Sequence, residues 1–394
     1  MSKIGEGIKA TARIGKKITS VKQFDALLFA AVLAVTAIGY YSLYLVRQTY
    51  SGTYGLTDDN MNRQLAAIAI GVAAALFLSS VDYRYYQIPS YAGYIVSVFI
   101  LFLTALFGAG GVTTGNRNWI TIFGQNFQPS ELTKITFIVV SASFFERISQ
   151  KRAVKLDYIK LIFYAALPVA LIVLQRDTGT ALVFVFVFFL MVFVSGIKYR
   201  YIFIGLGAMI IALPIVWNNF LRDIQKMRIM VFLNPELDKT NIGYQPNLAR
   251  SAIRAGGLIG NAVDSPSQAR YALVPERHSD FIFTVLAERA GFVGSVLVIA
   301  LYMFILLRCF YIASKAQDRY GEFMVAGFAA MIMIHFVENV GMCIGLMPIT
   351  GIPLPFFSYG GTAMITNYVA VGVILSVSVT RDAPGVKYIG GAAI

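Results

Sequence analysis

Residues 274–307 read VPERHSDFIFTVLAERAGFVGSVLVIALYMFILL. From Phe281 onward the run is apolar apart from Glu288 and Arg289, and it exceeds the length of about 20 residues that crosses a hydrocarbon core. The residues just before it are of the opposite kind, with Glu276, Arg277, His278 and Asp280 crowded at the helix start. Only 13% of the chain is charged, so this concentration at the mouth of one apolar helix needs a reason.

Working outward, apolar stretches recur near 24–46, 64–81, 88–107, 131–145, 158–174, 180–196, 201–218, 281–307, 323–346 and 363–379. The apolar set makes up 57% of the 394 residues and mean hydropathy is +0.68, more than a soluble domain of this length can bury. The sequence therefore predicts an all-α polytopic membrane protein with about ten transmembrane helices. The net charge of +13 does not point to nucleic acid, because Lys and Arg gather in alternate loops as the positive-inside rule expects. The inner set comprises an N-terminal arm (Lys3, Lys9, Arg13, Lys16, Lys17, Lys22), the 146–157 loop, and Arg308, Lys315 and Arg319, which makes both termini cytoplasmic. The first apolar run is too long for a secretory signal, and no small-residue cleavage site follows it. Three parts are expected: a cytoplasmic arm 1–23, a transmembrane domain 24–380 and a short cytoplasmic tail 381–394. The only cysteines, Cys309 and Cys343, make neither a disulfide framework nor a metal site.

Two outward connections are long, 108–130 and 217–280. The second contains NNFLRDIQKMRIMVFL and NLARSAIRAGGLIGNAV, which predict amphipathic helices on the outer membrane face. It carries eight basic groups (Arg222, Lys226, Arg228, Lys239, Arg250, Arg254, Arg270, Arg277) against six acidic ones, a balance that suits either an anionic ligand or lipid headgroups. Asp280, where this loop meets the helix, suits two roles: cap of the first free N–H groups, or surface general base beside Arg277 and His278. Glu288 and Arg289 lie about 12 Å deeper by helical rise, and each needs a partner from another helix.

Elsewhere, NRNWITIFGQNFQPSELTK (116–134) predicts a helix capped by Ser130, with Glu131 and Lys134 on one face as an ion pair or a functional pair. QRDTGTA (175–181) is a tight turn around Asp177, and His335 with Glu338 suits interhelical hydrogen bonding better than a metal. The segment GLMPITGIPLPFFSYGG (345–361), with three prolines and four glycines, predicts a re-entrant turn before the last helix.

Taken in order, the blocks NRNWITIFGQNFQPSELTK, QRDTGTA, AIRAGGLIG, VPERHSDFIF and NVGMCIGLMPITGIPLPFFSYGG resemble those of the SEDS family of bacterial cell-wall proteins over nearly the whole chain. The wording of the fourth and last blocks is more similar to the RodA branch than to FtsW. The resemblance implies a peptidoglycan glycosyltransferase in the bacterial cytoplasmic membrane that polymerises lipid II beside a class B penicillin-binding transpeptidase. On it, the essential acid falls on Asp280, the polar helix-start pair on Glu131 and Lys134, and a loop arginine on Arg117. Asp177, Arg277, His278 and Ser358 join them as expected substrate contacts. The chain departs from the usual pattern at Arg176, Thr178, Arg254, Ala255, Glu338 and Thr362.

The implied step needs one base and cationic clamps but no general acid, because pyrophosphate is a good leaving group, unlike the alcohol of glycoside hydrolysis. Asp280 is the expected base, with His278 in reserve. Arg117, Lys134, Arg277 or a divalent cation (Mg or Mn) would neutralise the departing phosphates. The rival readings are a lipid II flippase, a division or sporulation polymerase of FtsW type, and a silent scaffold for a transpeptidase.

Overall fold

The computed structural model describes residues 24–49, 56–108, 116–122, 125–197, 199–219, 221–238, 240–261, 274 and 276–380. The arm 1–23, the tail 381–394, Lys239 and Arg270 lie outside them. In chain order the helices are α1 (Ala26–Thr49), α2 (Asp58–Ser79), α3 (Gln87–Phe107), α4 (Pro129–Ser149), α5 (Lys155–Leu174), α6 (Thr178–Val194), α7 (Tyr199–Asn219), α8 (Asp223–Leu233), α9 (Tyr244–Ala255), α10 (Ile282–Ser314), α11 (Arg319–Ile344) and α12 (Gly361–Thr380). Every apolar stretch expected from the sequence falls on one of them. Among the described residues seven helices are long and apolar enough to cross a membrane by length and composition, where the sequence predicts about ten. They are α1, α2, α3, α5, α10, α11 and α12. Of the other three expected spans, α4 carries Glu131, Lys134, Glu146 and Arg147, and α6 is only 17 residues long.

The centre of the bundle is α11. Asp318 caps its start, accepting from the Gly321 N–H at 2.8 Å, and Gly345 ends it in the left-handed region with φ of 83°. Between those caps it is buried on nearly every face, with α4, α6, α10 and α12 packed around it. Beside it, α2 and α12 approach closely through small residues. A Cβ on Gly372 would sit 2.7 Å from the Ala75 backbone, and one on Gly71 would sit 2.8 Å from the Tyr368 ring. By contrast, α7 exposes Tyr201, Phe203, Ile204, Ile210 and Ile211, as a helix facing lipid would.

Three features depart from expectation. A two-stranded antiparallel hairpin, β1 (Ile120–Ile122) with β2 (Gln125–Phe127), interrupts the all-α plan inside the first long connection, where Ile-Thr-Ile favours extended backbone. The stretch NLARSAIRAGGLIGNAV is helical only as far as Ala255. Third, α10 is broken at Gly291, whose φ is 64°. The last two are one event, because the loop 256–261 inserts at the break. Phe292 and Val293 donate to the carbonyls of Gly257 and Leu258 at 2.9 and 3.0 Å, and Asn261 donates to the Glu288 carbonyl at 2.9 Å. Backbone groups freed by the kink are thus satisfied within the protein, as a low-dielectric surrounding demands. No side chain fits there, since a Cβ on Gly260 would lie 2.0 Å from the Arg289 carbonyl oxygen.

The connection from α11 to α12 contains neither helix nor strand, and it buries Ile352, Leu354, Phe356 and Phe357. Tyr302 of α10 donates to the Pro355 carbonyl at 2.5 Å. The connection therefore packs against the bundle through these residues.

Candidate active site

The charged turn before α10 is fixed by its own backbone. Glu276 takes a φ of 50°, and its carbonyl accepts from the N–H groups of Ser279, Asp280 and Phe281 at 3.2, 3.1 and 3.2 Å. The next carbonyls along the turn are held from outside. His278 O accepts from the Tyr359 N–H at 2.9 Å, Ser279 O from Ser358 Oγ at 2.6 Å, and Asp280 O from Asn339 Nδ2 at 2.8 Å. The same Asn339 amide also donates to Ile352 O at 2.8 Å, tying the turn, α11 and the connection from α11 to α12 into one unit.

The turn's backbone is thus held without the Asp280 side chain capping the helix. The N-cap of α10 is Phe281, with no side-chain capping bond, so the cap role open to Asp280 in the sequence is not the one it plays. Its Oδ2 would meet a Cβ on Gly351 at 3.4 Å, which makes that glycine part of its wall. Burial pushes its pKa up to about 7, the Glu276 carboxylate adds to the rise, and the Arg228 guanidinium opposes it. His278 is held below its usual range, first by burial, with Arg277 adding to the fall and Glu276 opposing it. Its ring lies edge-on to Tyr359 at 5.8 Å.

Arg228 was legible only as one loop cation among eight. In the structure α8 carries it over the site, where it acts on both Asp280 and Asp177. Its Nη1 donates to the Ile349 carbonyl at 3.3 Å. The signal for it is the spacing of Arg222, Gln225 and Arg228, three residues apart from the N-cap along the first two turns of one helix. With Arg176, Asp177 and Thr350 these residues line a cleft open to solvent.

The remaining expected residues take varied places. Asp177 caps α6, accepting from Thr180 N and Oγ1 at 3.1 and 2.9 Å, from Asn118 Nδ2 at 2.7 Å and from Gln128 Nε2 at 3.4 Å. It pins the first long connection to the bundle while still lining the cleft. Glu131 and Lys134 are buried, 2.7 Å apart, and Lys134 Nζ also lies 3.0 Å from His335 Nε2. Since His335 Nδ1 lies 2.7 Å from the Met331 carbonyl, it carries the proton, and Nε2 accepts from the ammonium. The helix starts two residues earlier than expected, with Gln128 as N-cap and Pro129 at its first position, so Ser130 is not the cap. Arg277 is buried, with Nη1 donating to the Val274 carbonyl at 3.3 Å, and is not displayed to the cleft. Ser358 is consumed by Leu354 N and Ser279 O, and Arg117 is exposed away from these contacts, its backbone N–H bonded to Gln175 O at 3.1 Å. Among the described residues no group of three His, Cys, Asp or Glu side chains could hold a metal ion.

Asn339 has a measurable role in this arrangement. Replacing it by Leu leaves the Asp280 and Ile352 carbonyls without their donor, which costs about 1–3 kcal/mol for each buried group left unsatisfied. We expect a lower thermal midpoint for purified Asn339→Leu and a slower reaction, with Asn339→Gln partly restoring both.

The sequence profile of the FtsW, RodA and SpoVE family, described as a cell cycle protein family, matches residues 24–383. Peptidoglycan glycosyltransferase MrdB of Escherichia coli K12 is 32% identical over 321 residues, covering 82% of this chain and 86% of the relative. The probable peptidoglycan glycosyltransferase FtsW of Trichlorobacter lovleyi is 32% identical over 371 residues, covering 92% of this chain and 95% of the relative. Among solved structures, a chain of a peptidoglycan synthase complex, studied for its coordination of polymerization and crosslinking, superposes with a TM-score of 0.76 at 31% identity, over 91% of this chain and 98% of that one. The rod shape determining protein RodA of Thermus thermophilus superposes with a TM-score of 0.67 at 27% identity, over 91% of this chain and 98% of that one.

Proposed function

The chain belongs to the FtsW, RodA and SpoVE family, the SEDS proteins, and is a peptidoglycan glycosyltransferase; on that premise we propose that it polymerises lipid II with Asp280 as the general base. The 4-hydroxyl of one lipid-linked disaccharide attacks the anomeric carbon of another. The bond from that carbon to the diphosphate oxygen breaks, undecaprenyl pyrophosphate leaves, and the hydroxyl proton passes to Asp280.

The observation that carries this reading is the state of Asp280. Its carboxylate caps no helix, its pKa is pushed up to about 7, and it interacts electrostatically with Arg228, which lines an arginine-rich cleft. A base poised near the working pH balances ionised fraction against proton affinity. Arg228, Arg222 and Arg176 supply preorganised positive charge where the diphosphate departs, in place of the expected Lys134 and Arg277, and no step is routed through a metal. In this reading α1 to α7 and α10 to α12 span the membrane, α8 and α9 lie on its outer side, and both termini are cytoplasmic. A class B penicillin-binding protein is the transpeptidase partner, and the role is in rod elongation.

The test is the purified chain, alone and with such a partner, supplied with lipid II. Glycan strands on a gel support the reading. Lipid II crossing a bilayer without polymer would instead favour a flippase.

A further inference from the structure

If the glycosyltransferase reading holds, each cycle must keep two lipid-linked diphosphates in place at once, one departing and one staying intact. The cleft at Asp177 has a neighbour on the other side of Arg228. It is lined by Val231 and Phe232 of α8, Arg250 of α9, and Met347 and Ile349 of the connection after α11. The bond from Arg228 Nη1 to the Ile349 carbonyl is the partition between them, and Arg228 lines both.

No carboxylate lines this second cleft, which is open to solvent. Its two guanidinium groups are held by neutral oxygens. Arg228 donates to Ile349 O, while Arg250 donates to Pro246 O at 3.3 Å and to Asn247 Oδ1 at 2.8 Å. Two cations beside apolar side chains, with no anion in the lining, complement a ligand that has an anionic head and a hydrocarbon tail. A way out for such a tail is present: Leu233, Ile344 and Leu346, 75%, 41% and 69% exposed, continue the apolar lining outward.

We propose that this cleft receives the diphosphate and first isoprene units of the acceptor, the lipid-linked disaccharide whose diphosphate stays intact. The division of labour follows from distance to the base. The departing diphosphate is bonded to the reacting carbon, and the cleft of Arg176, Arg222 and Arg228 also holds Asp177, which acts on Asp280, and Thr350, which adjoins Gly351 in the wall of Asp280. The acceptor's diphosphate keeps its charge throughout and needs only to be held. Arg228, shared by both, sets the two sugars in register.

The experiment uses the full-length chain in nanodiscs of phosphatidylcholine, with lipid II as substrate and a benzophenone-bearing farnesyl diphosphate as probe. Arg250→Gln and Met347→Trp should each raise the lipid II concentration for half-maximal rate by about tenfold, with the saturating rate kept within about twofold. Arg250→Lys should recover most of the loss. The probe should label peptides containing Phe232 or Met347 in the unaltered chain, and Arg250→Gln should lose that label while keeping label near Arg222. The inference is overturned if the unaltered chain makes polymer while both variants follow its concentration curve. It is also overturned if the Arg250 effect appears only after anionic phosphatidylglycerol is added, which would mark a headgroup site. A chain that makes no polymer counts against the glycosyltransferase reading, and the labelling pattern then decides the cleft by itself.

Discussion

Replacing Asp280 by Asn lowers glycan polymerisation by about 10²–10⁴-fold, the usual contribution of a positioned base, while the protein becomes more stable. Both effects have one origin. The folded chain holds the Asp280 proton up to about pH 7, whereas the unfolded chain releases it near the ordinary aspartate value of 3.8. The native state therefore binds more protons than the unfolded state between those limits, and stability falls as pH rises through that window. Above it the loss is complete, on the order of a few kcal/mol. Asn carries no such charge and escapes the loss, so purified Asp280→Asn should melt higher than the unaltered chain at pH 8, with the gap closing toward pH 4. Inactivity with a lower melting point would mean a structural role instead.

The second large effect is on the fold. Lys134→Met leaves the Glu131 carboxylate buried without its cation and removes the donor to His335 Nε2. Breaking a buried pair from one side costs about 3–5 kcal/mol, and replacing both members by apolar groups restores much of it. Thermal unfolding in detergent should show Lys134→Met well below the unaltered chain and the double variant Glu131→Leu, Lys134→Met between them. If the single variant melts normally, the pair is not holding α4 against α11, and Lys134 is better assigned to substrate.

How far these arrangements could be read in advance differs from residue to residue. The apolar runs place the helices because a 20-residue stretch such as α12 has few other ways to satisfy its backbone. The prolines and glycines after Gly345 announce the connection from α11 to α12, since no regular element tolerates them at that density. Asp280 stands out because charge at an apolar helix start is costly. Arg228 does not, because what distinguishes it from Arg254 or Arg222 is a contact made in space with residues far along the chain. The burial of Arg277 was hidden for a similar reason, its neighbour in sequence Glu276 being exposed. The break at Gly291 could not be read from α10 alone, because the residues that satisfy it, Gly257, Leu258 and Asn261, belong to another segment. The buried triad was half legible: spacing placed Glu131 and Lys134 on one face, while the link to His335 needed the packing of α4 on α11.

The most direct test of Asp280 as base is the rate of polymerisation by the purified chain at saturating lipid II, followed from pH 5 to pH 9. The account predicts a rise of one proton's steepness with its midpoint at about 7, as Asp280 ionises, and its disappearance in Asp280→Asn. A flat profile in the unaltered chain, or a rise that persists in Asp280→Asn and vanishes in His278→Gln, would contradict it.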